Sequence, residues 1–391
     1  MAWPDRTDRR LIGLTLAVKL GVLVVGALAY TLLAQRQISS VYGALAIWNR
    51  WDAPHYLDVI VFGYRAYDPG NLVGPNGYQQ VYPGDLGLYI VFYPLFPWLA
   101  TAVNAVLGNP LLSAFAVSTA ASLFVGPLLY RLVRHDEEPG VAMRAAWFLL
   151  IFPTAFVLHI GYTEALFMAL VLGSFLAART ERWWLAGVLG GLAALTRVNG
   201  LVLGLALPAE AYTQWVRRPP GERRLRPEWL AIGLVPIGFA VYLGVNQAVY
   251  GDPFFFTIPL RDHWYKTLAL PWDGVAGVMG YITGDRGHNL GDSLLYGWAE
   301  LTAIVIGLAG VVHAALRFRP SWFAWMAGNW LLFISTSFVL SVPRYSLTLF
   351  PLFVSLALVS RRNWVLALLS AVSIAGLIFF AARFATGPWA F

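Results

Sequence analysis

The residues best suited to chemistry stand in a few polar stretches set in an apolar chain. The first is Trp48-Asn49-Arg50-Trp51-Asp52-Ala53-Pro54-His55-Tyr56-Leu57-Asp58. A carboxylate at Asp52, flanked by Trp48, Trp51 and Tyr56, is partly desolvated, which suits a general base near neutral pH. The same residues also read as an interfacial aromatic belt with solvated charges, Arg50 pairing with Asp52 or Asp58, and residue types alone weight the two readings equally. The second stretch runs from Pro153-Thr154 past His159 to Tyr162-Thr163-Glu164. Glu164 is expected at a helix N-terminus, where the dipole stabilises a carboxylate, and on the same side of the molecule as Asp52. His159, alone, reads as a core residue before it reads as a catalyst. In the third, Thr196-Arg197-Val198-Asn199-Gly200, an arginine between short apolar stretches needs water, a carboxylate or a phosphate. Irregular backbone there belongs where it lines a cavity. In the fourth, Pro343-Arg344-Tyr345, Arg344 is placed to take an anionic headgroup or to snorkel.

Two further segments carry polar groups without a recognisable pattern. Arg261-Asp262-His263-Trp264-Tyr265-Lys266 and Asp285-Arg286-Gly287-His288 hold histidines and carboxylates, but not at the spacing of a metal-ligand motif. Trp264 and Tyr265 offer faces on which a sugar ring could stack. Phe92-Tyr93-Pro94-Leu95-Phe96-Pro97 reads as a rigid segment at headgroup level, for packing and lipid contact.

The elements that must position these residues follow from composition. Of 391 residues, 59% are hydrophobic, 15% aromatic and only 12% charged. The charged share is about half that of soluble domains, too little to build a soluble surface. This excludes a cytosolic enzyme, a disordered chain and a nucleic-acid-binding domain, and leaves an all-α polytopic membrane protein. The absence of cysteine excludes disulfides, thiolate catalysis and cysteine metal sites.

Apolar stretches predict about eleven spans: 11–34, 111–133, 142–160, 163–178, 184–196, 198–212, 229–250, 294–316, 321–340, 346–360 and 364–384. The first is too long for a cleaved signal and reads as an uncleaved anchor. The 86–107 stretch is also apolar, but counting it as a span would put Arg131, Arg134 and Arg144 outside. It is therefore expected to lie in the outer interface or to be re-entrant. With this arrangement the cytoplasmic side holds 17 of the 27 basic residues: Arg6, Arg9, Arg10, Arg131, Arg134, Arg144, Arg179, Arg182, Arg217, Arg218, Arg223, Arg224, Arg226, Arg317, Arg319, Arg361 and Arg362. The net charge of +7 is thus mostly an orientation signal. Lys19 lies within the first span, facing the interior or snorkelling. Gly187, Gly190 and Gly191 read as helix-packing glycines. The outer face receives two long loops, 35–110 and 251–293, and the chain forms a single domain, 1–391. No internal repeat is visible.

Five blocks, in order, resemble the PIG-V family of membrane mannosyltransferases, which belong to the GT-C glycosyltransferases: RWDAPHYLDVIVFGY (50–64), FYPLFP (92–97), PTAFVLHIGYTEALF (153–167), LTRVNG (195–200) and PRYSLTLFPLF (343–353). The resemblance implies a GT-C-like bundle with juxtamembrane helices in the first outer loop. It implies mannose transfer from a polyprenyl- or dolichyl-phosphate-linked donor to a lipid or glycan acceptor on the extracytoplasmic face. Asp52 occupies the family's Trp-Asp position and is the catalytic candidate, with Glu164 assisting. Arg344, aided by Arg197 or Lys266, would hold the donor phosphate. Arg50, Trp51, His55, Tyr56, Tyr162, Asn199, Tyr345, His263 and Trp264 would contact substrate. No metal is required, although a divalent ion is compatible. Membrane lipids are the expected surroundings, and nucleic acid is not a partner. The Arg-rich, Lys-poor chain favours a prokaryotic plasma membrane with the site facing outward. A lipid flippase, a small-molecule transporter, an anchoring protein and a transferase of another lipid-linked sugar are the competing readings.

The orientation is directly testable, because the chain has no cysteine of its own. In intact cells an impermeant maleimide should label Asp273→Cys and spare Arg224→Cys until the membrane is permeabilised. The reverse pattern would invert the topology.

Overall fold

The fold is given by a computed structural model that describes residues 4–285 and 289–390. Among these residues the chain is helical, with two isolated bridges, Val73 to Gln79 and Leu268 to Thr336, and no strand. Arg286-Gly287-His288, one of the polar stretches singled out above, lies outside the described residues.

Among the described residues, five helices are long and apolar enough to cross a membrane: Arg6–Leu32, Pro110–Val133, Pro227–Tyr250, Leu290–Arg317 and Asn363–Thr386. A sixth candidate, Val342–Thr348 with Phe350–Val359, is bent by 83°. The structure therefore does not supply eleven spans of full length. Pro139–Ile151, Glu164–Arg179, Trp183–Thr196, Leu203–Arg217 and Pro320–Ile334 have 13 to 16 residues. At 1.5 Å per residue they are roughly 20–24 Å long, short of a ~30 Å hydrocarbon core. The reason is local. Ile151 stops ahead of Pro153, Thr196 ahead of Arg197, and Ile334 ahead of the irregular segment that leads to Pro343. Helix is given up at one end of the bundle, where the polar stretches sit. Irregular backbone is tolerated at such depth because protein, not lipid, surrounds it.

The 86–107 stretch does not form one span. A 3-10 turn, Leu86–Val91, breaks at Pro94 into the 13-residue helix Leu95–Leu107. Proline fits the first helical turn, whose N–H groups lack partners anyway. Gly108, left-handed at φ 62°, ends the helix. The preceding loop is folded rather than loose. Buried Asp58 accepts bonds from the Tyr78 hydroxyl at 2.9 Å and the Val81 N–H at 3.0 Å. Burial pushes the Asp58 carboxyl above the usual carboxylate range, against those bonds. Asp68 holds Gly70 and Leu86 by their N–H groups, both at 2.8 Å.

Phe148, Phe156, Phe167, Phe175 and Trp325 fill the core, while Leu20, Leu28, Val305, Leu316, Val372 and Phe379 stand exposed on the outside of the bundle. At the end opposite the long loops, arginines that carried the orientation signal are paired. Arg131 Nε meets Asp8 at 3.0 Å, Arg179 meets Asp136 at 2.5 Å, and Arg319 meets the fully buried Glu210 at 2.6 Å. Lys19 faces inward, donating to the His159 carbonyl at 2.8 Å.

The packing glycines bring helices backbone to backbone. A Cβ on Gly238 would lie 1.9 Å from the Gly191 carbonyl oxygen, and one on Gly187 would lie 2.0 Å from that of Ala231. Gly238→Ala should therefore destabilise the protein by about 1–3 kcal/mol, as overpacked cores do. Gly244, where a Cβ meets nothing within 4 Å, is the control. Thermal unfolding in detergent should show a lowered Tm for the first substitution only.

Candidate active site

The site begins at a strained turn. Trp51 has φ 57°, a region costly for a large side chain, and it immediately precedes the helix Asp52–Phe62. The Tyr162 hydroxyl holds the turn from both sides. It donates to the Arg50 carbonyl at 2.9 Å and accepts from the Asp52 N–H at 3.2 Å. Trp51 also packs edge-on against Trp389, with ring centroids 4.9 Å apart.

Four charges from four parts of the chain meet beside that turn. Arg344, on the short helix Val342–Tyr345, donates through Nη1 to Asp52 Oδ2 at 2.6 Å. Its Nε and Nη2 reach Glu164 Oε1 at 2.7 and 2.6 Å. Glu164 opens its helix, as its place in the sequence suggests. Arg197, in the break between two helices, reaches the same Glu164 oxygen at 2.6 Å and Thr163 Oγ1 at 2.9 Å, both through Nη1. Arg344 and Glu164 are 3% and 1% exposed, so the formal charges of the four side chains must balance, and they do. Burial works to raise the Asp52 carboxyl, but the charge and hydrogen bond of Arg344 outweigh it and hold Asp52 below the usual carboxylate range. Two carboxylate oxygens keep free lone pairs. Glu164 Oε2 is buried without a hydrogen-bond partner, and Asp52 Oδ1 accepts no bond among the described residues.

Arg344 is thus committed to carboxylates through all three of its nitrogens. Cations that keep spare donors include Arg197, whose Nε and Nη2 make no bond, and Lys266, which makes one long bond to the Leu340 carbonyl at 3.4 Å. Both stand over the ring of Tyr345, each 5.5 Å from its centroid.

A second lobe of the site is aromatic. His55 follows Asp52 by one turn, and its Nδ1 lies 2.8 Å from the Trp51 carbonyl. A carbonyl can only accept, so Nδ1 carries the proton and a neutral ring presents Nε2 as an acceptor. Burial pushes this imidazole below its ordinary value despite nearby Asp52, so neutral is the form at pH 7. Tyr82, Tyr89, Phe92 and Trp264 surround the ring at 4.7–6.3 Å. Phe92, expected to serve packing and lipid contact, stacks on His55 and so takes part in the site. Tyr56 is buried between Phe92, Phe96 and Tyr162. His263 is exposed at the rim against Trp264, and Asn199 is buried beside Arg197 in the chain. Arg50 pairs with neither Asp52 nor Asp58; its Nε bonds the Ile47 carbonyl at 2.9 Å. No group of three or more His, Asp or Glu side chains able to hold a metal occurs among the described residues.

Sequence reasoning gave Thr163 no role within its polar stretch and missed Tyr82 and Tyr89, which nothing local distinguishes. It also passed over Glu300, whose one visible sign was a carboxylate inside an apolar span.

Residues 93–245 match the model of the dolichyl-phosphate-mannose-protein mannosyltransferase family, less than half of the chain. GPI alpha-1,6-mannosyltransferase 2 of Mus musculus is 31% identical over 183 residues, 44% of this chain and 33% of that protein. The Cricetulus griseus protein of the same name matches to the same extent. The crystal structure of ArnT from Cupriavidus metallidurans bound to undecaprenyl phosphate superposes with TM-score 0.51 at 17% identity. It covers 92% of this chain and 62% of that one. Over the matched stretch the chain resembles these mannosyltransferases, and its fold is like that of the ArnT structure. The matched stretch spans about a third of the mouse relative's length. Glu164 and Arg197 fall inside the segment that matches the family model, whereas Asp52 and Arg344 lie outside it.

Removing one partner from so buried a cluster should be costly. Arg344→Gln should destabilise the protein by about 3–5 kcal/mol, because Asp52 loses its counter-charge and Glu164 keeps only Arg197. Adding Glu164→Gln should recover a large part of that loss. Tm values that simply add would show that the two residues are not coupled.

Proposed function

We propose that this PIG-V-like chain is an integral membrane glycosyltransferase that moves mannose from a polyprenyl- or dolichyl-phosphate donor to a lipid or glycan acceptor, by inverting displacement on the extracytoplasmic side. One observation carries the reading. Asp52 has one oxygen fixed on Arg344 and the other free, beside a tyrosine flanked by two cations with unused donors.

In this reading the acceptor hydroxyl gives its proton to Asp52 Oδ1 as its oxygen attacks the anomeric carbon. The bond from that carbon to the phosphate oxygen breaks, and its electron pair leaves on the phosphate. A carboxylate held ionised suits this, because the hydroxyl becomes acidic only as its bond to carbon forms. The leaving phosphate needs positive charge more than it needs an acid. Arg197 and Lys266 provide that charge, over Tyr345. Arg344, first considered for the phosphate, serves instead to hold Asp52 and Glu164. The aromatic lobe around His55 offers Trp264 and Tyr82 as faces for a sugar ring. In this reading these cations serve the phosphate, and no metal is required.

The donor's tail has a place to lie. An apolar groove of about 230 Å³ runs between the first helix, Pro139–Ile151 and Asn363–Thr386, lined by Val18, Val22, Trp147, Ile374 and Ala381 among others. One turn beyond Ala381, Phe384 packs on Tyr162 at 5.8 Å, so the groove leads toward the charged cluster. The arginines gathered at the opposite end support placing the long loops outside a plasma membrane, with a prokaryotic membrane as the setting.

The test is transfer itself. Purified protein given polyprenyl-phosphate-mannose, or the glucose and arabinose counterparts, with candidate lipid and glycan acceptors should form a product detectable by mass spectrometry. Asp52→Asn should abolish transfer while donor binding persists. Arg197→Gln and Lys266→Gln should each weaken donor binding about tenfold. Full activity of Asp52→Asn would remove it from the chemistry, and no turnover with any lipid-linked sugar would favour a flippase. Because the Asp52 carboxyl is held low, activity should be present above that depressed value and fall as pH drops through it.

A further inference from the structure

Arg344 can hold two carboxylates only if the short helix that carries it is fixed, and its own sequence fixes it poorly. Val342–Tyr345 is a single turn with proline as its second residue. Ser341, which precedes it, is left-handed at φ 73°. A serine in that conformation is strained and stays there only when its surroundings impose it. Three side chains from distant parts of the chain do so. The Thr154 hydroxyl donates to the Pro343 carbonyl at 3.0 Å, and Lys266 Nζ donates to the Leu340 carbonyl at 3.4 Å.

The strongest hold is Glu300. It is fully buried, and both of its oxygens accept from this segment: Oε1 from the Ser341 N–H at 2.6 Å, Oε2 from the Val342 N–H at 2.8 Å. It satisfies two N–H groups that the first turn of a helix leaves without partners. A π-helical stretch, Ser293–Ala299, immediately precedes Glu300. The wider turn there sets which face of the Leu290–Arg317 helix carries the carboxylate. A charged side chain inside a membrane span is expensive and persists where it serves a function.

We propose that Glu300 is the positioning residue for Arg344, and that through Arg344 it governs whether Asp52 is ionised. The chain of contacts is short: Glu300 to Ser341 and Val342, two residues on to Arg344, and from Arg344 Nη1 to Asp52 Oδ2. The groups that face Asp52 are few. Arg344, Arg197 and His55 act on its charge, Glu164 shares Arg344, and Tyr162, Tyr56 and Tyr345 lie close enough to interact with it. Among them Arg344 is the one that bonds the Asp52 carboxylate directly, so a displaced Arg344 raises the pH at which Asp52 takes up a proton. This inference rests on the transferase reading for its consequence, but its test does not.

Tm is measured against pH for the full chain in detergent, with Asp52 and with Asp52→Asn. The difference between the two curves changes at the pH where Asp52 is protonated in the folded state. In Glu300→Gln, which keeps the shape but accepts only one of the two bonds, that change should move up by about one pH unit. Ser341→Gly, which adopts φ 73° without strain, should return it part of the way. Glu210→Gln, at the other end of the bundle, should lower Tm and leave the change where it was. If Glu300→Gln does not fold, Glu300→Asp should give a smaller upward movement. An unmoved change in whichever Glu300 variant folds overturns the proposal. The acid limb for release of mannose from polyprenyl-phosphate-mannose, with water as acceptor, should move by the same amount. If the wild type transfers mannose neither to water nor to any lipid or glycan acceptor, the transferase reading fails while the Tm measurement still decides the role of Glu300.

Discussion

A guanidinium that is 3% exposed cannot stand alone, and the rest of the site is arranged around satisfying Arg344. Its partners lie 292 and 180 residues away in the chain, so the bond is made only when the first loop, the fourth predicted span and the broken span near the C-terminus have all been assembled. Breaking it would leave uncompensated charge in a medium that screens poorly. The cluster therefore enforces one arrangement of these three segments. The same arrangement leaves one oxygen of Asp52 free.

The shortness of several helices follows from the same constraint. Pro153, Arg197 and Pro343 each interrupt an apolar stretch, and each interruption brings a polar group to one end of the bundle. What looked in a hydropathy count like a complete span is a helix that stops early so that its last residues can line a site. The opposite end shows the contrast. There Arg131, Arg179 and Arg319 pair with Asp8, Asp136 and Glu210, and these pairs knit helices together.

Much of the site was legible in the residues. Asp52, Glu164, Arg197 and Arg344 stood out because charge is rare in this chain and expensive where it occurs. Their roles were less legible. Arg344 and Arg197 look alike in sequence, since each is an arginine at a break in an apolar run. Only the distances separate them: one is saturated by two carboxylates, and the other retains donors. Phe92 and Tyr82 could not be recognised as neighbours of His55, because aromatic residues are common along the whole loop and nothing in their spacing says which rings will meet. Glu300 was hidden for the opposite reason, lying in a good apolar span, where one acidic residue near the end reads as a helix-terminal charge.

What the sequence determined by itself was the solvent, the fold class and the inventory of polar groups. Those properties depend on composition and on runs of neighbouring residues, which are present in the chain before it folds. The resemblance of five ordered blocks pointed toward the membrane mannosyltransferases. Tertiary structure alone decided which charges pair, which oxygens stay free and which helices are too short to span. These are set by contacts across a hundred residues or more, and a bond of 2.6 Å between residues 52 and 344 leaves no mark on the sequence near either one.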